Sequence, residues 1–431
     1  MMQQAFRASI FHCLRDPGPH ADNAAVEYLE DGLLIVENGV VAKIGAASEL
    51  LTGLAQDTQV EDWSGKLIVP GLIDCHVHYA QLDIIASAGE QLLDWLNRYA
   101  YPAEAKFENA DHAREVAGVF LDELLRNGTT TALVFATVFP QSVDAIFEAA
   151  AERNMRLIAG KVLMDRMCPE TLSDDAESGY ADSKSLIERW HGKGRLGYAI
   201  TPRFALTSSE EQLAAAGRLA REYPDTWVHT HLAENKEEVN QIAGQFAWSR
   251  SYLDVYDHFG LLRDRSMFAH CLYLDADDRE MMAKKGGAAA FCPTSNLFLG
   301  SGLFDLQSMS EAGVRVGLAT DVGGGTSLSL LQTMSEAYKV LHLRGQSLPA
   351  SRALYLATLG AAEALGLDGC IGNLAPGKEA DFAVLDAGGS TITARRARSA
   401  ASIDELLFAL IFLGDDRNIA ATYLQGQRAT N

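Results

Sequence analysis

Two histidines one residue apart, His76 and His78, close an apolar run that opens at Pro70. Strand side chains alternate between faces, so a strand over residues 67–78 points both imidazoles the same way. Imidazole nitrogens paired like this invite zinc or iron, and a catalytic metal takes three or four protein ligands with one position left for water. Two buried histidines hydrogen-bonded in a core are the competing reading. If a metal is held, the remaining ligands come from further along. The run VHTHLAEN, residues 228–235, places His229 and His231 on one face. His231, nearer the strand end, reads as the third ligand, and His229, deeper, as a residue that orients a ligand or packs in the core. Glu234 follows where strand gives way to loop and helix, a position from which a carboxyl group can hang over a metal and shuttle protons. A solvated glutamate in a first helical turn is the plainer alternative. His270 ends a sixth strand-like run, and Asp321 follows the mostly apolar VGLAT. An aspartate buried there is costly unless it is paired or bound to a cation. It reads as the fourth ligand, with its second oxygen free to take a proton from bound water.

His76, His78, His231 and Asp321 thus make a single-metal site supported by His270 and Glu234. A metal can pull the pKa of bound water from about 15.7 to about 7, so hydrolytic attack on an electrophilic carbon is the expected chemistry. A lysine bridging two metals would indicate a binuclear site, but Thr201, Pro202 and Arg203 stand where it would be expected. Gly323, Gly324 and Gly325 let the chain turn sharply beside the site and lack the lysine and serine order of a phosphate-binding loop. The PCxxC run of the cytidine-deaminase type of zinc site is absent from the sequence.

Eight strand candidates position these residues: 67–78, 131–138, 156–163, 196–201, 226–231, 266–270, 287–291 and 314–321. Helical segments alternate with them at 111–127, 141–154, 181–191, 209–223, 235–259, 277–285, 305–312 and 327–343. Ser209 with Gln212 has the spacing of a capping box, and Gly128 sits where a C-cap glycine belongs. Eight such units favour a (β/α)₈ TIM-type barrel over a doubly wound sheet, because the polar residues fall at strand ends that a barrel gathers on one rim. The two ends of the chain read as short strands and turns, with Asn38-Gly39 between β-branched runs marking a hairpin. The reading is an α/β chain: a barrel over 69–372 inserted into a small discontinuous β-sandwich domain made from 1–68 and 373–431.

The chain has 431 residues, of which 48% are hydrophobic, and its 57 acidic against 36 basic side chains leave a formal charge of -21. That balance repels phosphate backbones and anionic membrane surfaces, which argues against nucleic acid and membrane partners. Six cysteines without CxxC pairing read as reduced thiols of a cytoplasmic protein, and neither a signal peptide nor an apolar span is expected.

With these residues in place, the chain resembles the amidohydrolase superfamily of metal-dependent hydrolases and, within it, the guanine-deaminating branch. The superfamily resemblance rests on PGLIDCHVH, HTHLAE, the strand-six histidine, the TD after strand eight and GNLAPGKEADFAVLD at 372–386. The narrower one rests on HVHYAQ, GEQLLDWLNRYAYPAEAKF at 89–107, TPRFALTSSE at 201–210 and FCPTSNLFLGSGLF at 291–304. The resemblance implies hydrolysis of a purine, guanine, to xanthine and ammonia with one zinc per chain, ferrous iron being the alternative. It implies His76, His78, His231 and Asp321 as ligands, Glu234 as proton shuttle, and Gln81, Arg203 and Phe204 as purine contacts. His231 counts among the substrate-facing residues too, and His270 is expected to hydrogen-bond the tetrahedral centre formed at C2. An arginine suits the O6 acceptor, and a glutamine amide both donates and accepts. Phe204 and Trp95 are placed to cover the ring faces. For Arg203 a surface ion pair, for Gln81 a loop contact and for Trp95 core packing are the alternatives. A homodimer is the expected assembly. The rival functions are an amidohydrolase acting on 8-oxoguanine, an aminotriazine or an adenine-type ring, and a non-catalytic scaffold on the same barrel.

Overall fold

Gly71 splits what the sequence presents as one strand. In the computed structural model, which describes residues 3–55, 58–89 and 91–429, Gln59–Pro70 joins a terminal sheet and the first barrel strand is Leu72–His78. At the break, Gly71 N–H donates to Asp381 O (2.9 Å) and Leu72 N–H to Gly128 O (3.0 Å). A Cβ on residue 71 would lie 2.0 Å from Thr130 Oγ1, so only glycine fits. Glu90 of the 89–107 run and Thr430, which ends the run ATYLQGQRAT, lie outside the described residues.

The barrel strands follow the order of the chain: Leu72–His78, Thr129–Phe135, Arg156–Gly160, Leu196–Pro202, Trp227–Leu232, Ser266–His270, Ala288–Phe291 and Arg315–Leu318. A doubly wound sheet would reverse its strand order at a switch point, and this one does not. Beyond the end of the last strand, Asp321 N–H donates to His76 O (2.9 Å) and His78 N–H to Val322 O (2.8 Å), which joins the last strand's exit to the first strand. The barrel expectation holds. Most strands are buried along their whole length, as strands covered on both faces must be.

Ser209 Oγ accepts from Gln212 N, but the reciprocal half of the capping box does not form, since Ser209 N–H donates to Asp165 Oδ1 (2.7 Å) and Gln212 Nε2 to Asp174 Oδ1 (2.7 Å); Gly128 takes a left-handed φ of +80° after helix Ala110–Arg126. One helix expectation fails. Residues 235–259 form two helices, Lys236–Gln245 and Tyr252–His258, because the backbone leaves helical geometry at Phe246 and Ser251 caps a new start by accepting from Asp254 N. No described helix is long and apolar enough to cross a membrane.

By packing, the chain divides into two compact units, one of Met1–Asp74, Asp122–Thr131 and Ser329–Asn431, the other of Cys75–Leu121 and Ala132–Leu328. The first holds a seven-stranded sheet in the order Gln427–Arg428, Ile419–Leu424, Phe382–Leu385, Gln59–Pro70, Gln3–Cys13, Val26–Glu37, Val40–Ala46. Its core includes Phe6, Ile10, Leu34, Ile68, Phe382 and Tyr423. Asn38 and Gly39 turn the expected hairpin with φ of +53° and +81°.

Candidate active site

At the mouth of the barrel, strands that end in histidine or aspartate bring those side chains to one point. His76 Nε2 lies 3.1 Å from Asp321 Oδ1, and His78 Nε2 lies 3.4 Å from the same oxygen. His78 Nε2 is also 3.2 Å from both His76 Nε2 and His231 Nε2. His270 belongs to the same gathering, since one ligand atom from each of His76, His231, His270 and Asp321 falls within 4.8 Å of the others. Phe135 packs under the imidazoles, its ring centroid 4.6 Å from that of His78 and 4.7 Å from that of His231.

The protonation pattern is what a metal requires. His231 Nδ1 is 2.7 Å from the Arg203 carbonyl oxygen, which can only accept, so the proton sits on Nδ1 and the lone pair of Nε2 faces the cluster. His76 Nδ1 pairs with His229 Nε2 at 2.7 Å, so Nε2 is the His76 nitrogen that meets Asp321 and His78; this is where the deeper histidine of the fifth strand falls. Burial lowers His76, His78 (to about 4) and His231 (well below its usual value), which keeps these three imidazoles neutral. Burial acts to raise Asp321, but His76 and His78 outweigh it and hold the carboxyl well below the usual range. Neutral imidazoles and an ionised carboxylate, crowded lone pair against lone pair, form a donor set that a divalent cation would satisfy. Part of the geometry is held under backbone strain: Ala233, His270 and Asp321 take φ of +51°, +73° and +49°. Non-glycine residues adopt such angles at a cost on the order of 1–3 kcal/mol each, and they concentrate where function demands them.

Glu234 stands beside this cluster. Its Oε1 accepts from Ser301 Oγ (3.2 Å), its Oε2 lies 3.4 Å from His270 Nε2, and its own N–H donates to Glu238 Oε2 (3.0 Å). Glu238 closes a capping box with Asn235, so the helix start that follows Glu234 is fixed from both sides. Burial, with the Asp321 charge second, pushes the Glu234 carboxyl up to about 8. His270 Nδ1 in turn meets Asn296 Oδ1 at 2.9 Å.

The facing wall is polar along one edge and apolar elsewhere. Gln81 Nε2 donates to Glu104 Oε1 (2.8 Å), Gly323 N–H donates to Gln81 Oε1 (3.1 Å), and Arg203 Nη1 donates to Glu104 Oε2 (2.6 Å). The surface ion pair considered for Arg203 is therefore a buried one, with the guanidinium over the Tyr101 ring at 5.2 Å. Trp95 is 2% exposed and donates Nε1–H to Ser87 O (3.0 Å), yet it also lines the cavity, so packing and cavity lining are not alternatives for it. A cavity is lined by His78, Gln81, Arg203, Phe204, Glu234 and Asp321, among others. His76 and His229 lie behind this lining.

Sequence reasoning passed over Glu104, Glu238, Asn296 and Ser301. Glu238 carries a readable signal, the Asn235-x-x-Glu capping spacing; Glu104 carries none, since a glutamate in a helical run ordinarily faces solvent.

Comparison with known proteins places this geometry. The model of the amidohydrolase family matches residues 67–429. Guanine deaminase of Escherichia coli (strain K12) is 50% identical over 425 residues, 98% of this chain and 97% of that protein. The solved structure of the E. coli guanine deaminase matches with a TM-score of 0.97 over 99% of both chains. A crystal structure of guanine deaminase from C. acetobutylicum with bound guanine in the active site matches with a TM-score of 0.90 at 26% identity, over 99% of this chain and 100% of that one. The chain belongs to the amidohydrolase family, on the branch that holds the guanine deaminases.

Proposed function

We propose that this protein hydrolyses guanine to xanthine and ammonia, using one zinc ion held by His76, His78, His231 and Asp321. The observation that carries the reading is that His76, His231, His270 and Asp321 converge on one point with His78 beside them, next to a cavity lined by a carboxyl group that keeps its proton near neutrality and by an arginine-glutamine edge between apolar walls. The bound ion supplies Lewis acidity and a water of lowered pKa.

The chain's own groups do the rest. Arg203 donates to the purine O6, Gln81 meets the polar edge of the six-membered ring, and Phe204 and Trp95 cover its faces. This places C2, the carbon bearing the amine, toward the histidines. Asp321 accepts the proton of the attacking water through its second oxygen. Glu234 delivers a proton to N3 or to the departing ammonia, a task suited to a carboxyl group raised to about 8. His270, 3.4 Å from Glu234 and 3.7 Å from Asp321, hydrogen-bonds the tetrahedral centre. Water adds across the ring C2=N3 bond, the exocyclic C2–N bond then breaks and ammonia leaves, so atoms and protons balance without a second cofactor. We read the protein as a cytoplasmic homodimer, for which light scattering is the direct measure.

Other amino-heterocycles are less well matched. An arginine facing the six-position amine of adenine sets donor against donor, which costs about 1–3 kcal/mol when buried. Ultraviolet assay of a panel of guanine, 8-oxoguanine, adenine, cytosine and ammeline should give guanine the highest kcat/KM. Turnover of adenine or ammeline above that of guanine would reverse the assignment.

A further inference from the structure

Behind the cavity wall lies a carboxylate that no step of the proposed reaction uses. Glu104 is 1% exposed, sits on helix Tyr101–Ala105 and does not line the cavity. The segment that carries it departs from regular helix: Leu92–Trp95 is α-helical, Leu96–Ala100 is a π turn, and Tyr101–Ala105 is α-helical again. A π turn inserts a residue and rotates everything after it, a device found often at functional sites. Trp95 before the turn lines the cavity, and Glu104 after it reaches Arg203 and Gln81 from behind.

Each Glu104 oxygen takes one bond, Oε1 from Gln81 and Oε2 from Arg203. The consequence for Gln81 is a fixed amide. Flipping it would set its oxygen against the carboxylate and its NH₂ against the Gly323 N–H, two repulsions in place of two bonds. The consequence for Arg203 is a cancelled charge. Among the described residues Glu104 is the hydrogen-bond partner of the guanidinium, and Arg203 also lines the cavity. A charge-neutral pair offers directed donors without drawing an anion, which fits an uncharged ring carbonyl.

We propose that Glu104 is a positioning residue for substrate recognition: it locks Arg203 and Gln81 into one rigid edge that selects a neutral lactam, the O6 and N1 side of an oxopurine. This rests on the guanine deaminase reading and deepens it. Because Glu104 acts only through its two partners, its removal should matter only while they are present.

The test is a double-mutant cycle on guanine hydrolysis, with metal content and thermal melting recorded for every protein. Glu104→Gln is expected to lower kcat/KM by about 10- to 100-fold, chiefly through KM, with metal content unchanged. In an Arg203→Ala background the same change should cost several-fold less, because the carboxylate then has only Gln81 left to hold. An equal loss in both backgrounds would make Glu104 merely structural and overturn the proposal, as would no loss in the otherwise unaltered protein. If Glu104→Gln does not fold, Glu104→Asp, which keeps the charge but shortens its reach, is put through the same cycle. Absence of guanine turnover by the unaltered protein would instead sink the functional reading, so the two failures are distinguishable.

Discussion

Glu104 and Glu234 belong to opposite walls of one barrel mouth and are almost equally buried, at 1% and 3% exposure. Glu104 bonds to an arginine and a glutamine amide; Glu234 has Ser301 as its side-chain donor and the Asp321 charge nearby. The first therefore has a cation within bonding distance, while burial and a like charge raise the second to about 8. Residue type and depth do not separate the two. What separates them is the partner each meets: the Arg203 guanidinium bonds to Glu104, whereas Glu234 meets a serine hydroxyl and lies 3.4 Å from His270 Nε2. The recognising wall and the reacting wall should accordingly fail in different ways.

The largest failure belongs to the reacting wall. Asp321→Asn removes the one carboxylate among the proposed ligands and should take both the bound metal and measurable turnover, as metal analysis and ultraviolet assay of one preparation would show. Glu234→Gln should keep the metal and leave KM within a few-fold while kcat drops about 10²- to 10⁴-fold. A rise in KM with kcat intact would move Glu234 to the recognising wall and erase the contrast.

Arg203→Lys tests the other side. Lysine keeps a positive charge but loses the planar fork, so kcat/KM for guanine should fall about 10- to 100-fold with metal content unchanged. Loss of metal in this variant would mean that the walls are not separable. That outcome has a physical route, since the Arg203 backbone oxygen also holds His231 Nδ1.

The reacting wall was far more legible in the sequence than the recognising wall, and the reason is geometric. His76, His78, His231, His270 and Asp321 sit at strand ends or just past them, and a barrel gathers those ends by symmetry, so type and position along the chain suffice. Gln81 and Arg203 needed a resemblance to stand out, because nothing local marks a loop residue as facing a cavity. Glu104 stayed hidden because its orientation depends on the π turn at Leu96–Ala100, which leaves no pattern in residue types. The break of 235–259 into two helices rests on the Ser251 cap, a residue type that is visible in the sequence.

The smallest effect separates the walls by stability alone. Glu238 is buried, and burial with the Glu234 charge raises it from the ordinary 4.5 to about 7. Unfolding releases the group to its ordinary value, so between pH 4.5 and about 7 the folded state binds its proton more tightly. Stability therefore falls as pH rises through that window, and the loss is complete above it. Glutamine at this helix position keeps an acceptor for the Glu234 and Asn235 N–H groups and cannot ionise. Glu238→Gln should thus melt at about the same temperature as the parent near pH 4.5 and at a higher one above pH 7, with a gain of at most about 3 kcal/mol. Glu104→Gln should shift melting the other way, because it strips a buried guanidinium of its counter-charge. Thermal melts of both variants from about pH 4.5 to about 8 decide the matter: a shift of both in the same direction above pH 7 would mean that the Arg203 partner is not what distinguishes Glu104 from Glu238.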